Sequence, residues 1–139
     1  MSLEHLRIYS QSRLLTAMNA QYPAIPIQFD NAPFVQPDTM WGGFSIMDGN
    51  SKIVSLGTQK VDRHVGFVQF DVLAPQNSGT AVATQVAEFV GRTFRDVITQ
   101  LPDQSKVVFK SPQFISRGMQ NGFYRMCMRC AYWRDEPPT

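Results

Sequence analysis

The stretch GFVQFDVL, residues 66–73, sets Val68, Phe70 and Val72 in alternation with Gln69 and Asp71. A strand of period two with one apolar face needs cover on that side and tolerates water on the other, as in an antiparallel sheet. The cover is written a few residues later. After Pro75 and the turn Gln76-Asn77-Ser78-Gly79-Thr80, the residues Val82, Val86, Phe89, Val90, Phe94, Val97 and Leu101 recur at helical spacing, with Glu88, Arg92 and Arg95 opposite. A one-faced strand followed by an amphipathic helix restricts the chain to an α+β architecture. The helix is expected to run until Pro102 stops it.

The rest of the chain fits that frame. Ser2 can cap a first helix running to about Asn19, with Leu3, Leu6, Ser10, Leu14, Ala17 and Met18 on the core side. Ile8 and Leu15 point away from that side, which makes them either the margin of a wide core face or a patch covered by another subunit. Pro23, Pro26, Pro33 and Pro37 then exclude a helix or a central strand, although Ile25, Ile27 and Phe29 alternate as an edge strand would. The apolar residues of this segment, Phe34, Val35 and Trp41 among them, are expected to need cover. Strands follow from Trp41, with reversals expected at Asp48-Gly49-Asn50 and around Asp62-Arg63. KVVFK, PQFISRG and NGFYRMCMRCAYW read as further strands, with a turn between Gly118 and Gly122, and residues 134–139 read as a frayed tail. The expectation is one domain over 1–139: an antiparallel or mixed sheet with two helices packed on one face, plus a β-hairpin.

The function classes narrow by exclusion. At 139 residues and 43% hydrophobic content the chain can fill one core unaided. Thirteen basic against eleven acidic residues leave no strongly basic nucleic-acid footprint. The N-terminus lacks the apolar core of a secretory signal, and no apolar run is long enough to span a bilayer, so a soluble protein made in a reducing cytoplasm is expected, without a membrane partner.

Cys127-x-x-Cys130 has knuckle or redox spacing, but it lies in a strand, where positions three apart face opposite sides, and the two histidines, His5 and His64, are distant in sequence. No disulfide, metal site or cofactor site is assigned. Phosphate-loop and nucleophile-elbow motifs are missing as well, and no catalytic residue or small-molecule substrate is assigned.

The last strand offers the most pointed surface. Tyr124, Met126, Met128, Cys130 and Tyr132 face one way, and Phe123, Arg125, Cys127, Arg129, Ala131 and Trp133 the other. Arginines mixed with large aromatics suit the buried centre of a protein interface. They also suit nucleic acid, through cation–π and phosphate contacts. Arg63 and His64 read as a solvated turn or a docking tip.

Trp41, then Gly57, then Arg63-His64-Val65-Gly66 before FVQFDVL, Pro75, Gly79 and a helix carrying Ala83, Ala87 and Phe94, follow an order that resembles phage tail terminator proteins. The resemblance implies a structural virion protein of long-tailed phages. Its α+β subunits would form a hexameric ring at the head-proximal end of the tail tube, assembled in the bacterial host cytoplasm. That ring would stop tube polymerisation and dock the filled head. Its partners would be other copies of itself, the tail-tube protein and a head-completion or neck protein, with genomic DNA passing through the lumen without specific binding. On this reading Arg125, Arg129 and Trp133 form one subunit contact and Ile8 with Leu15 a second, while Lys60, Arg63 and His64 meet the tube or a neighbour. The alternative is a nucleic-acid-binding α+β module that uses the arginine and aromatic sheet face.

Overall fold

A computed structural model describes residues 2–30, 32–53, 61–76 and 80–136. Two helices, α1 (Ser2–Gln21) and α2 (Ala81–Phe94), accompany six strands: β1 (Ile27–Phe29), β2 (Trp41–Ile53), β3 (Asp62–Pro75), β4 (Ile98–Gln100), β5 (Lys106–Gln120) and β6 (Phe123–Glu136). The strands form one sheet in the order β1-β2-β3-β6-β5-β4. β1 runs parallel to β2 and every other pair is antiparallel, so the sheet is mixed. The three-residue β1 is the edge strand that the prolines permit.

The alternation in β3 behaves as its pattern dictates. Val68, Phe70 and Val72 are fully buried, and beside them β6 buries Met128, Cys130 and Tyr132 on the same face. Both helices close over that face. α1 contributes Leu6, Ser10, Leu14 and Met18, a stripe repeating every four residues, and α2 contributes Ala83, Val86, Ala87, Val90 and Phe94. The small residues Ala83 and Ala87 let α2 approach the sheet closely, and Phe94 then reaches Phe44 of β2 and Phe109 of β5, with ring centroids 6.0 and 5.3 Å apart. Burying each such Val, Leu or Phe side chain contributes about 1.5–3 kcal/mol.

Several expectations are corrected. α2 ends at Phe94 rather than at Pro102. Asp96 takes a left-handed φ of 55°, the Arg95 N–H closes back on the Gly91 carbonyl, and the β-branched run Val97-Ile98-Thr99 leads into β4, which pairs with β5. Asp48-Gly49-Asn50 does not reverse the chain: it is a register shift within β2, which continues to pair with β3 as far as Ile53 and Asp62. Asp62 and Arg63 are therefore ladder residues of β3, opposite Ile53 and Lys52, and 54–60 lie outside the described residues. Residues 106–120 make a single strand with register shifts at Phe109/Pro112 and Ser116/Gly118. The turn expected before Gly122 is the pair Asn121-Gly122, both at positive φ, as a two-residue connection demands. Val35 has no cover and is 91% exposed. The supposed frayed tail is also ordered in its first part, since Arg134, Asp135 and Glu136 pair with His64, Arg63 and Asp62 across β3.

Candidate functional site

The sheet face away from the helices is assembled by register. Moving along it, Met47 of β2 pairs with Phe67 of β3, which pairs with Ala131 of β6; one step along, Val65 pairs with Trp133. Met47 is 56% and Val65 41% exposed, and Phe67 and Trp133 are half-buried, so this is an open apolar patch. Arginines surround it. Arg63 lies 3.9 Å above the Trp133 ring and Arg129 4.4 Å above Phe67. Strand alternation alone places these groups together, because residues of one parity on neighbouring strands share a face.

Two of the arginines on this face are already matched to carboxylates. Arg63 donates two hydrogen bonds to Asp135, at 2.8 and 3.0 Å. Arg125 donates to Asp71 at 2.7 Å, and the same carboxylate oxygen accepts from Gln69 at 3.1 Å. Arg129 differs: it donates to the neutral Gln69 side-chain oxygen at 2.9 and 3.3 Å, which leaves its charge without a carboxylate in that contact. Beneath this row Cys127 is fully buried beside Asp71, and burial first, then the carboxylate, push its thiol pKa up.

The opposite face of the same sheet end holds a buried polar cluster. Arg134, 3% exposed, donates to Asp48 at 2.7 Å, and the Tyr132 hydroxyl donates to the same carboxylate. His64 Nε2 lies 3.0 Å from Glu136. Burial opposes ionisation of Asp48, but the hydrogen bonds from Arg134 and Tyr132 outweigh it and hold the carboxyl below its ordinary value. Burial, reinforced by Asp48, pushes the Tyr132 phenol in the other direction, well above its usual range. The acidic pair Asp135-Glu136 thus serves Arg63 and His64 and does not dangle in a tail.

The sequence-predicted residues separate into groups. Arg125, Arg129 and Trp133 share the outer face as expected, and Arg63 joins them. His64 lies on the helix-side face, paired with Arg134 across β3–β6. Ile8 and Leu15, 50% and 39% exposed, lie together on the side of α1 away from the core, remote from the sheet patch. Lys60 lies outside the described residues. Sequence reading missed Met47, Val65 and Phe67, whose alternation was visible but whose grouping depends on the β2–β3–β6 register.

A groove of about 500 Å³ lies between α1 and the end of α2 and is lined by Tyr9, Arg13, Thr16 and Thr93. Arg13 there donates to the Thr93 carbonyl at 2.6 Å and pins the two helices together. Among the described residues no three His, Cys, Asp or Glu side chains converge on one point, and no helix is long and apolar enough to cross a membrane.

The chain is thus a two-helix α+β fold with a half-exposed apolar and arginine-rich sheet face. The family is specific: residues 9–126 match the model of the phage tail terminator protein family, and the chain belongs to that family, one of structural virion proteins with a role in the phage tail. No curated protein matches the sequence. A solved structure shares the fold with a TM-score of 0.77 at 19% identity, covering 100% of this chain and 99% of its own.

Proposed function

We propose that this chain is the subunit of a hexameric ring that caps the head-proximal end of the tail tube. The ring stops tube polymerisation and offers a head-completion protein its docking surface, while genomic DNA passes through the lumen without specific binding. The family match over residues 9–126 carries this reading. The outer sheet face supports it, since aromatic residues, Met and Arg around an apolar centre are the composition of a protein interface. A head-to-tail ring needs two different patches per subunit. The first is the face of Arg125, Arg129 and Trp133 with Met47, Val65 and Phe67; the second is Ile8 with Leu15. Contact with the tube or a neighbour is assigned to Arg63 and His64 of β3 and to Lys60, which lies outside the described residues. Arg63 contributes there through its Trp133 stack, because its charge is already taken by Asp135.

Electron microscopy of the purified protein with tail-tube subunits tests the proposal. Rings, or tubes capped at a fixed length, are expected, and Arg129→Glu is expected to abolish both while leaving the folded spectrum intact. Tubes that grow to the same lengths with and without the protein would refute the capping role.

One observation favours a second reading, nucleic-acid binding on the same face: Arg129 has no carboxylate in its Gln69 contact and lies over an aromatic ring. Binding of oligonucleotides that weakens steeply with salt would support it. The matched pairs Arg63–Asp135 and Arg125–Asp71 argue against it, because a phosphate would have to displace a carboxylate at each.

A further inference from the structure

Both margins of the sheet are only partly covered. β1 pairs with Gly42–Phe44 of β2, and among the described residues no strand pairs with the outer side of β2 from Ser45 to Ile53. At the other margin β4 pairs with Lys106–Val108 of β5, the Lys110 carbonyl accepts the Asp96 N–H at 3.4 Å, and among the described residues the outer side of β5 from Ser111 to Gln120 has no strand partner. Such rows of backbone donors and acceptors are templates for pairing with another strand. From this we infer that the open edge of β2 in one copy receives the open edge of β5 in the next, so that the sheets of successive subunits join into one continuous sheet around the ring.

Four features select a second copy of this chain as the occupant. First, the two open stretches are similar in length. Second, their directions agree. β2, β3, β6 and β5 alternate in direction, so β5 of one copy placed beside β2 of the next, with all helices on the same face, runs antiparallel to it.

Third, the flanking grooves on the helix side are complementary. Beside the β2 edge a groove of about 210 Å³ is lined by Leu3, Phe44 and Ile46 with Glu4 and Asp30, and Arg7 in it is held by Glu4. Beside the β5 edge a groove of about 230 Å³ is lined by Pro112 and Phe114 with Arg92, Arg95 and Glu88. Joining the edges brings the half-exposed Phe114 toward the apolar lining of the facing groove; Arg95 is already paired with Asp96 at 3.6 Å and Glu4 with Arg7, which leaves Arg92 and Asp30 as the charges of opposite sign.

The fourth feature is the offset. Asp48, near the middle of the open part of β2, is level with Gly66 of β3. Ile115, the middle of the open part of β5, is level through Cys127 with Asp71. The joint is therefore staggered by roughly five residues, about 17 Å at ~3.3 Å per residue, across four shared strands that span about 19 Å. That ratio corresponds to a strand tilt of about 40°, the inclination at which sheets close on themselves. Pro112, which withholds one donor, and the two register shifts in β5 blunt the edge against indiscriminate partners.

The inference rests on the ring proposed above, and cysteine trapping separates the two. Met47→Cys is combined in turn with Gln113→Cys and Arg117→Cys, all at exposed positions of the two edges and on the outer face, while the native cysteines are buried. Under mild oxidation of the assembled protein, at least one double variant is expected to give a ladder of covalent multimers ending at the ring, and each single variant to stay monomeric on a denaturing gel. Rings by microscopy without a ladder from either pair would overturn the edge joint and leave the ring standing. A covalent dimer from Met47→Cys alone would also overturn it, by showing like edges paired with like. No rings and no ladder would overturn both.

Discussion

Tyr132 shows how one side chain couples the core to the polar end of the sheet. Its ring packs on Phe109 at 5.9 Å, and its hydroxyl joins Arg134 on Asp48. Tyr132→Phe removes one hydrogen bond to a charged acceptor, and a loss of about 1.5–3 kcal/mol is expected at neutral pH by chemical denaturation. The pH dependence has a definite sign. Asp48 titrates below its unfolded value of about 3.9, so its contribution is fully present above that pH and disappears as pH falls through the lower, folded value. The penalty of Tyr132→Phe should therefore shrink below about pH 4, and a constant penalty would mean that Asp48 is not the partner that matters. Cys127 and Cys130 are both buried and free, on opposite faces as alternation requires, and burial pushes the Cys130 thiol up to about 11.

Among the elements, β3 depends most on a single small residue. A Cβ at Gly66 would lie 2.2 Å from the Met47 carbonyl oxygen and 2.8 Å from the Tyr132 hydroxyl, with backbone on one side that cannot give way. Gly66→Ala should therefore separate β2 from β3 at this level, with a destabilisation of about 3 kcal/mol or more or a failure to accumulate as folded protein. Gly91→Ala is the contrasting case. Its Cβ would meet the Phe114 ring at 2.7 Å, but Phe114 is 44% exposed and can turn outward, so a smaller loss, about 1 kcal/mol, is expected in the same denaturation series. α1 is an element with two apolar sides. Its four-residue stripe fills the core, while Ile8 and Leu15 add nothing to that core and are free to meet another surface.

For the whole molecule, separate surfaces give separate phenotypes. Ile8→Glu with Leu15→Glu should leave folding stability within about 0.5 kcal/mol, because both side chains already meet solvent. The same double variant should prevent ring formation in size-exclusion chromatography if this helix side is the second subunit contact. Normal rings would remove α1 from the interface and leave the sheet edges to close it. A near-neutral chain suits a lumen through which DNA slides better than one that grips it.

Sequence alone determined the layers. The period-two run at Val68–Val72 and the helical spacing from Val82 to Phe94 each require a buried side; Val68, Phe70, Val72, Val86, Val90 and Phe94 are buried as that requires, while Val82, at the start of the helix, is 45% exposed. The two faces of β6, the edge strand among the prolines and the Asn121-Gly122 turn were legible for the same reason. Tertiary structure alone decided where elements end and which strands are neighbours. Val97 and Leu101 continue the helical spacing in sequence, yet pairing with β5 draws Ile98–Gln100 into a strand. Asp48-Gly49 looks like a reversal, yet the ladder carries on past it. The outer patch and the staggered open edges arise from register between segments far apart in the chain, and register is set by the summed burial and hydrogen bonding of the whole sheet, a quantity no local window of sequence contains.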